Sequence, residues 1–113
     1  MEENNKDLET TQDSQEEKDP AQVDYDQGKD LLQAGDEALA ASCFHNALIG
    51  YEQDNNEKGI ANASDQLGDI CAARDEHEKA IEHYEIAQKY YIKIGLKRQA
   101  EQVENNINLA KKI

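Results

Sequence analysis

Residues of the same kind recur in this chain at one fixed offset. Gly28 and Gly68 stand 40 positions apart, and so do Ala40 and Ala80, Phe44 and Tyr84, Ala47 and Ala87, and Tyr51 and Tyr91. An internal repeat of this length marks stacked supersecondary units, each unable to bury its apolar face alone. The residue types suit helical hairpins. Glycine and alanine let two helices approach to about 8–10 Å, and an aromatic ring fills the space between them. Within each unit the apolar residues also fall three and four apart. Ala40, Phe44, Ala47, Leu48 and Tyr51 form one such stripe, and Ala80, Ile81, Tyr84, Ala87 and Tyr91 another. That period is helical.

The pattern predicts helices over residues 21–34, 37–53, 57–73, 77–94 and 97–112. Gly28, Leu31 and Leu32 belong to the first; Ile60, Ala63, Leu67, Ile70 and Cys71 to the third; Ala100, Val103, Ile107 and Ala110 to the last. Punctuation supports these limits. Pro20 suits a first turn, Gly35 and Gly95 suit helix ends, Asp36 is a candidate N-cap, and Asp54-Asn55-Asn56 is a polar turn. No stretch alternates apolar and polar residues long enough to argue for a strand.

The segments DEHEKAIEHYEIAQKY at 75–90 and GDEALAASCFHNAL at 35–48 resemble the second half of a tetratricopeptide repeat. That motif places a small residue late in helix A, then a turn, then alanine, an aromatic and alanine in helix B. The resemblance covers residues 21–113. It implies an all-α fold, a short right-handed solenoid of two helix-turn-helix repeats with a C-terminal capping helix. The usual repeat has about 34 residues. The 40-residue spacing is similar to the longer-helix variants of kinesin light chain and cell-polarity adaptors, with the extra residues expected in longer helices and in polar connections at Gln53–Lys58 and Gly95–Gln99. Asp24 and Ser64 stand where the family commonly has an aromatic. The apolar stripe of the last helix can cover the edge of the second repeat. Its other face, Glu101, Glu104, Asn105, Asn108, Lys111 and Lys112, is polar.

Residues 1–19 form a separate region. Met1 and Leu8 are their only large apolar side chains, too few to offset chain entropy, so a disordered acidic tail is expected there and a helical domain over 20–113. The net charge of -13 is unevenly spread. Residues 1–20 carry eight acidic and two basic side chains, residues 21–88 fifteen and four, and residues 89–113 two and six. This balance repels phosphate, which argues against nucleic acid and anionic membrane as partners. No segment approaches the roughly 20 apolar residues of a membrane span, and Met1 to Lys18 lack the apolar run of a secretory signal. Two cysteines, Cys43 and Cys71, both inside helical patterns, fit a reducing cytoplasm.

Little in the chain could carry chemistry. The soft ligands are Cys43, His45, Cys71, His77 and His83, and none forms a Cys-x2-Cys pair or a histidine pair one helical turn apart. Cys43 and His83 share a repeat position and are the best geometric match, but no metal and no cofactor is expected. Ser42, Cys43 and His45 diverge around their helix, so a nucleophile–base pair is not expected. The glycines have no phosphate-cradling spacing. Asp36-Glu37 and Asp75-Glu76 sit at helix starts, where acidic side chains complement the helix dipole. The chain therefore reads as a non-enzyme.

The resemblance implies that helices A line a groove holding a peptide or a partner helix. By the 40-residue offset the groove positions are Gln22, Tyr25, Asp26, Lys29, Leu32 and Gln33, then Asn62, Asp65, Gln66, Asp69 and Ala73, then Gln102, Asn105, Asn106 and Leu109. Carboxamides donate and accept at once, which suits the backbone of an extended peptide. Asp26, Asp65 and Asp69 favour a neutral or basic ligand. The carboxylate clamp known in this family needs several converging cations, and Lys29 is the only one among these positions, so the clamp is expected to be absent. The expected function is an adaptor or scaffold, monomeric or weakly self-associating. The alternative is an oligomeriser that stacks through the ends of its repeats.

Overall fold

A computed structural model describes residues 19–112. The tail expected over 1–19 lies outside them except for Asp19, as does Ile113. The described residues form five helices and no strand: α1 Pro20–Gln33, α2 Glu37–Gln53, α3 Glu57–Ala73, α4 His77–Lys93 and α5 Lys97–Lys111. The chain is all-α, and each boundary falls within one residue of its expected place.

The connections are more regular than the sequence suggests. Each is three residues long, at 34–36, 54–56, 74–76 and 94–96. In each the last residue's N–H bonds back over five residues: Asp36 to the Leu31 carbonyl, Asn56 to Tyr51, Glu76 to Cys71 and Leu96 to Tyr91, all at 2.9 Å. The middle residue takes a left-handed conformation, with φ of 88° at Gly35, 55° at Asn55, 63° at Asp75 and 83° at Gly95. This is the Schellman way of ending a helix. It sets helix starts 20 residues apart, at Glu37, Glu57, His77 and Lys97. The residues beyond a 34-residue unit therefore lie in the 17-residue helices α2, α3 and α4, and not in extended polar connections.

Side-chain caps support three of the starts. Asp19 accepts from the Ala21 N–H, with Pro20 at the first helical position. Asp36 accepts from Leu39 and Asn56 from Gly59. Such caps typically contribute about 1 kcal/mol each.

The extensive helix contacts are between sequence neighbours, α1 with α2, α2 with α3, α3 with α4 and α4 with α5. The ends that meet show the first three pairs to be antiparallel. Tyr51 near the end of α2 bonds to Gln22 near the start of α1, Arg74 after α3 pairs with Glu37 at the start of α2, and Lys93 at the end of α4 pairs with Glu57 at the start of α3. Gly28 faces the Phe44 ring so closely that a Cβ there would lie 2.9 Å away, and at Gly68 a Cβ would lie 2.6 Å from the Tyr84 ring. Here the absence of a side chain is what lets each ring lie flat on the neighbouring helix. Phe44 and Tyr84 are 0% and 3% exposed. Burying an aliphatic or phenyl side chain of this size contributes about 1.5–3 kcal/mol.

Helix α3 is covered on two faces. Ile60, Ala63, Leu67 and Ile70 pack with α2 residues, while Ala61 packs with Ala80, Tyr84, Ala87 and Tyr91 of α4. Helix α5 repeats only the first of these faces, as Ala100, Val103, Ile107 and Ala110, all buried. Its counterpart to the second, Glu101, Glu104, Asn105, Asn108, Lys111 and Lys112, is exposed throughout. At the other end, Pro20, Val23, Gln27 and Asp30 of α1 occupy the positions of that first face and are exposed.

Candidate binding face

The residues that matter come from α1 and α3, tied together and to the helices behind them by tyrosine hydroxyls. Tyr51 donates to Gln22 Oε1 at 3.1 Å. Exactly one repeat later, Tyr91 donates to Asn62 Oδ1 at 2.7 Å, with Asp65 Oδ2 also within 3.3 Å. Tyr84 donates to Asp69 Oδ1 at 2.6 Å, a bond that Phe44, its counterpart, cannot make. Gln22 in turn donates to Asp26 Oδ1 at 3.0 Å. The Gln66 side chain crosses from α3 to α1 and donates to the Tyr25 hydroxyl over a long 3.5 Å. Tyr25 sits edge-on to Phe44 at 5.4 Å and near Tyr51 at 6.4 Å, with the Lys29 ammonium 5.8 Å from its ring centre.

Asp65 and Asp69 lie one helical turn apart on α3. Burial, and then the neighbouring Asp69, push the Asp65 carboxyl up to about 6, against the opposing effect of Tyr91. Desolvation also raises Asp69, opposed by the Tyr84 hydrogen bond. Burial raises Tyr51 to about 12, helped by Asp19 and other acidic groups, and it raises Tyr84 and Tyr91 further. The three hydroxyls therefore remain protonated donors at any ordinary pH.

Of the expected groove residues, Gln22, Tyr25, Asp26, Asn62, Asp65, Gln66 and Asp69 belong to this network, with Lys29 set against Tyr25. Leu32 is half-buried in the core cluster around Phe44. On α5, Asn106 and Leu109 border a cleft of about 220 Å³ with Ala72, His77 and Tyr84. Gln33, Ala73, Gln102 and Asn105 are exposed. Comparison with protein-family models, with curated proteins and with solved structures finds no match for this chain.

Two participants were not legible from the offset. Asn56 and Lys58 border a cleft between α1 and α3 together with Gln22, Tyr25, Tyr51 and Asn62. They lie before the mapped window, Asn56 in the polar turn that precedes α3 and Lys58 in its first turn. One pair of the soft ligands is brought together. His83 faces His45, with ring centroids 6.1 Å apart. Its Nδ1 is buried without a partner among the described residues, and burial followed by His45 lowers its pKa. Both cysteines are free and half-buried. Among the described residues no three His, Cys, Asp or Glu side chains cluster as a metal would require, and no helix is long and apolar enough to cross a membrane.

Proposed function

We propose that this chain is a tetratricopeptide-type adaptor, a short right-handed solenoid that binds a neutral or basic peptide or partner helix along the face formed by α1, α3 and α5, without catalysis. The observation that carries this reading is the network itself. Polar side chains at equivalent positions of α1 and α3 are held by buried tyrosines, which restrict their rotamers before any ligand arrives. Preorganisation of this kind lowers the entropic cost of binding. Asp65 and Asp69 make the middle of the face acidic, which favours a cationic ligand and disfavours nucleic acid.

End-to-end stacking of copies has less support. A stacked assembly would have to bury Glu101, Glu104, Lys111 and Lys112 at one end and Asp30 at the other, and unpaired buried charge is costly.

The test is selection from a random displayed peptide library on the intact chain and on a variant carrying Asp65→Lys and Asp69→Lys. Wild-type protein should enrich basic sequences, and the variant should lose or reverse that preference. The same enrichment on both proteins, or none on the wild type, would remove the acidic-face reading. A concentration-dependent dimer in light scattering would favour the stacking alternative.

A further inference from the structure

The cleft between α1 and α3 holds about 290 Å³ and is bordered by Gln22, Tyr25, Tyr51, Asn56, Lys58 and Asn62. Its three carboxamides share one property. Each has its carbonyl oxygen already engaged: Gln22 by the Tyr51 hydroxyl, Asn62 by the Tyr91 hydroxyl, and Asn56 by the Gly59 N–H. Two of these orientations admit no flip. A backbone N–H can only donate, so Asn56 must present oxygen to Gly59. Gln22 must present nitrogen to the Asp26 carboxylate and hence oxygen to Tyr51. What remains is donors. Asn56 and Asn62 keep both N–H bonds of their NH2 groups unpartnered among the described residues, Gln22 keeps one, and the Lys58 ammonium has no carboxylate partner among them.

A cleft that offers donors selects an acceptor. A ligand carboxylate would be one, but Asp26 and Asp65 stand beside Gln22 and Asn62, and Asp19 and Asp24 bear on Tyr51. One exposed ammonium does not offset them. An uncharged carbonyl accepts the same hydrogen bonds without that repulsion.

Resting on the reading of this face as a peptide groove, we infer that the cleft is a subsite for main-chain carbonyl groups of an extended peptide of net positive charge. Tyr51 and Tyr91 are its positioning residues. They spend the carboxamide oxygens internally and so turn groups that could donate or accept into donors alone. The ligand's cationic side chains then meet the Asp65 and Asp69 side of the face.

Two variants of the full chain test this, titrated by NMR with an acetylated, amidated peptide of alternating glycine and lysine and with its glycine–glutamate counterpart. Asn62→Asp replaces donors by acceptors while adding negative charge. Asn56→Ser removes a free NH2 group but keeps a good helix cap. The glycine–lysine peptide should shift the Asn56 and Asn62 side-chain NH2 resonances. Its Kd should rise about tenfold in each variant, as expected for a lost hydrogen bond, with the melting temperature of Asn56→Ser unchanged. Equal or tighter binding by Asn62→Asp, with Asp65 and Asp69 backbone amides still shifting, would overturn the carbonyl subsite and leave the groove standing. Preference for the glycine–glutamate peptide would also overturn it, in favour of a carboxylate. If the wild-type chain showed no shift anywhere on α1, α3 or α5 with either peptide, the groove and the subsite would fall together.

Discussion

Replacing Asp65 by asparagine should stabilise this protein at neutral pH and do nothing at pH about 3, below the ordinary carboxyl value. The folded carboxyl titrates at about 6 against an ordinary value of 3.8. Below the lower value Asp65 is protonated in both states and contributes no difference. Between the two, the folded chain holds a proton that the unfolded chain has released, so the contribution of Asp65 to stability falls as pH rises. Above the higher value the whole penalty is present. A shift of about two units corresponds to about 3 kcal/mol. Asp65 is only half-buried, so solvent screening reduces this to about 1 kcal/mol. Asparagine removes the charge and keeps the shape. Tyr91 loses little, since its shorter bond is to Asn62 at 2.7 Å and the one to Asp65 is 3.3 Å. For a domain of this size about 1 kcal/mol raises Tm by roughly 4–8 °C. Thermal unfolding followed by circular dichroism at pH about 7 and pH about 3 provides the assay. A variant less stable than wild type at pH 7, or equally shifted at both pH values, would refute the argument that Asp65 carries an unrelieved desolvation cost.

Three other substitutions probe the packing. Gly68→Ala should gain up to about 1 kcal/mol of helix propensity but drive a Cβ to 2.6 Å from the Tyr84 ring, where overpacking costs about 1–3 kcal/mol or more; the net is a loss in chemical denaturation, and a gain would mean that the ring is free to move. Ser64 is fully buried with its hydroxyl unpartnered among the described residues, so Ser64→Ala should stabilise by about 1 kcal/mol, and a loss of that size would imply a partner for the hydroxyl. Asp75 holds a φ of 63° at the position where the first repeat has Gly35, so Asp75→Gly should raise stability by about 0.5–1 kcal/mol, measurable as a higher denaturation midpoint at unchanged slope.

How much was legible can be judged residue by residue. The helices were legible because their apolar period, their caps and their breakers agree: Asp36 caps as its place before an apolar run suggests, and the stripe Ala100, Val103, Ile107 and Ala110 is buried. The turn at 74–76 was not readable as a left-handed turn, since Asp75 is no glycine; what holds it there is the Glu76 N–H bonded back to the Cys71 carbonyl. In the candidate face, the offset found Gln22 and Asn62 but passed over Asn56 and Lys58, because the mapped positions begin at Gln22 and Asn62 and take in neither the cap nor the first residues of α3.

By itself the sequence determined the local conformations and their period, because backbone propensity, capping and apolar spacing act over a few residues and carry their own signal. Only the tertiary structure decided how much of each helix is covered, since that depends on whether a neighbour lies on one side or both: Val23 is 45% exposed, while Ala63 and Val103 at the same repeat position are 0% and 1% exposed. It alone also decided the chemistry that the carboxamides present. An asparagine or glutamine can donate or accept, and which it offers depends on what occupies its other end; here Tyr51 and Tyr91, each 29 residues away along the chain, make that choice.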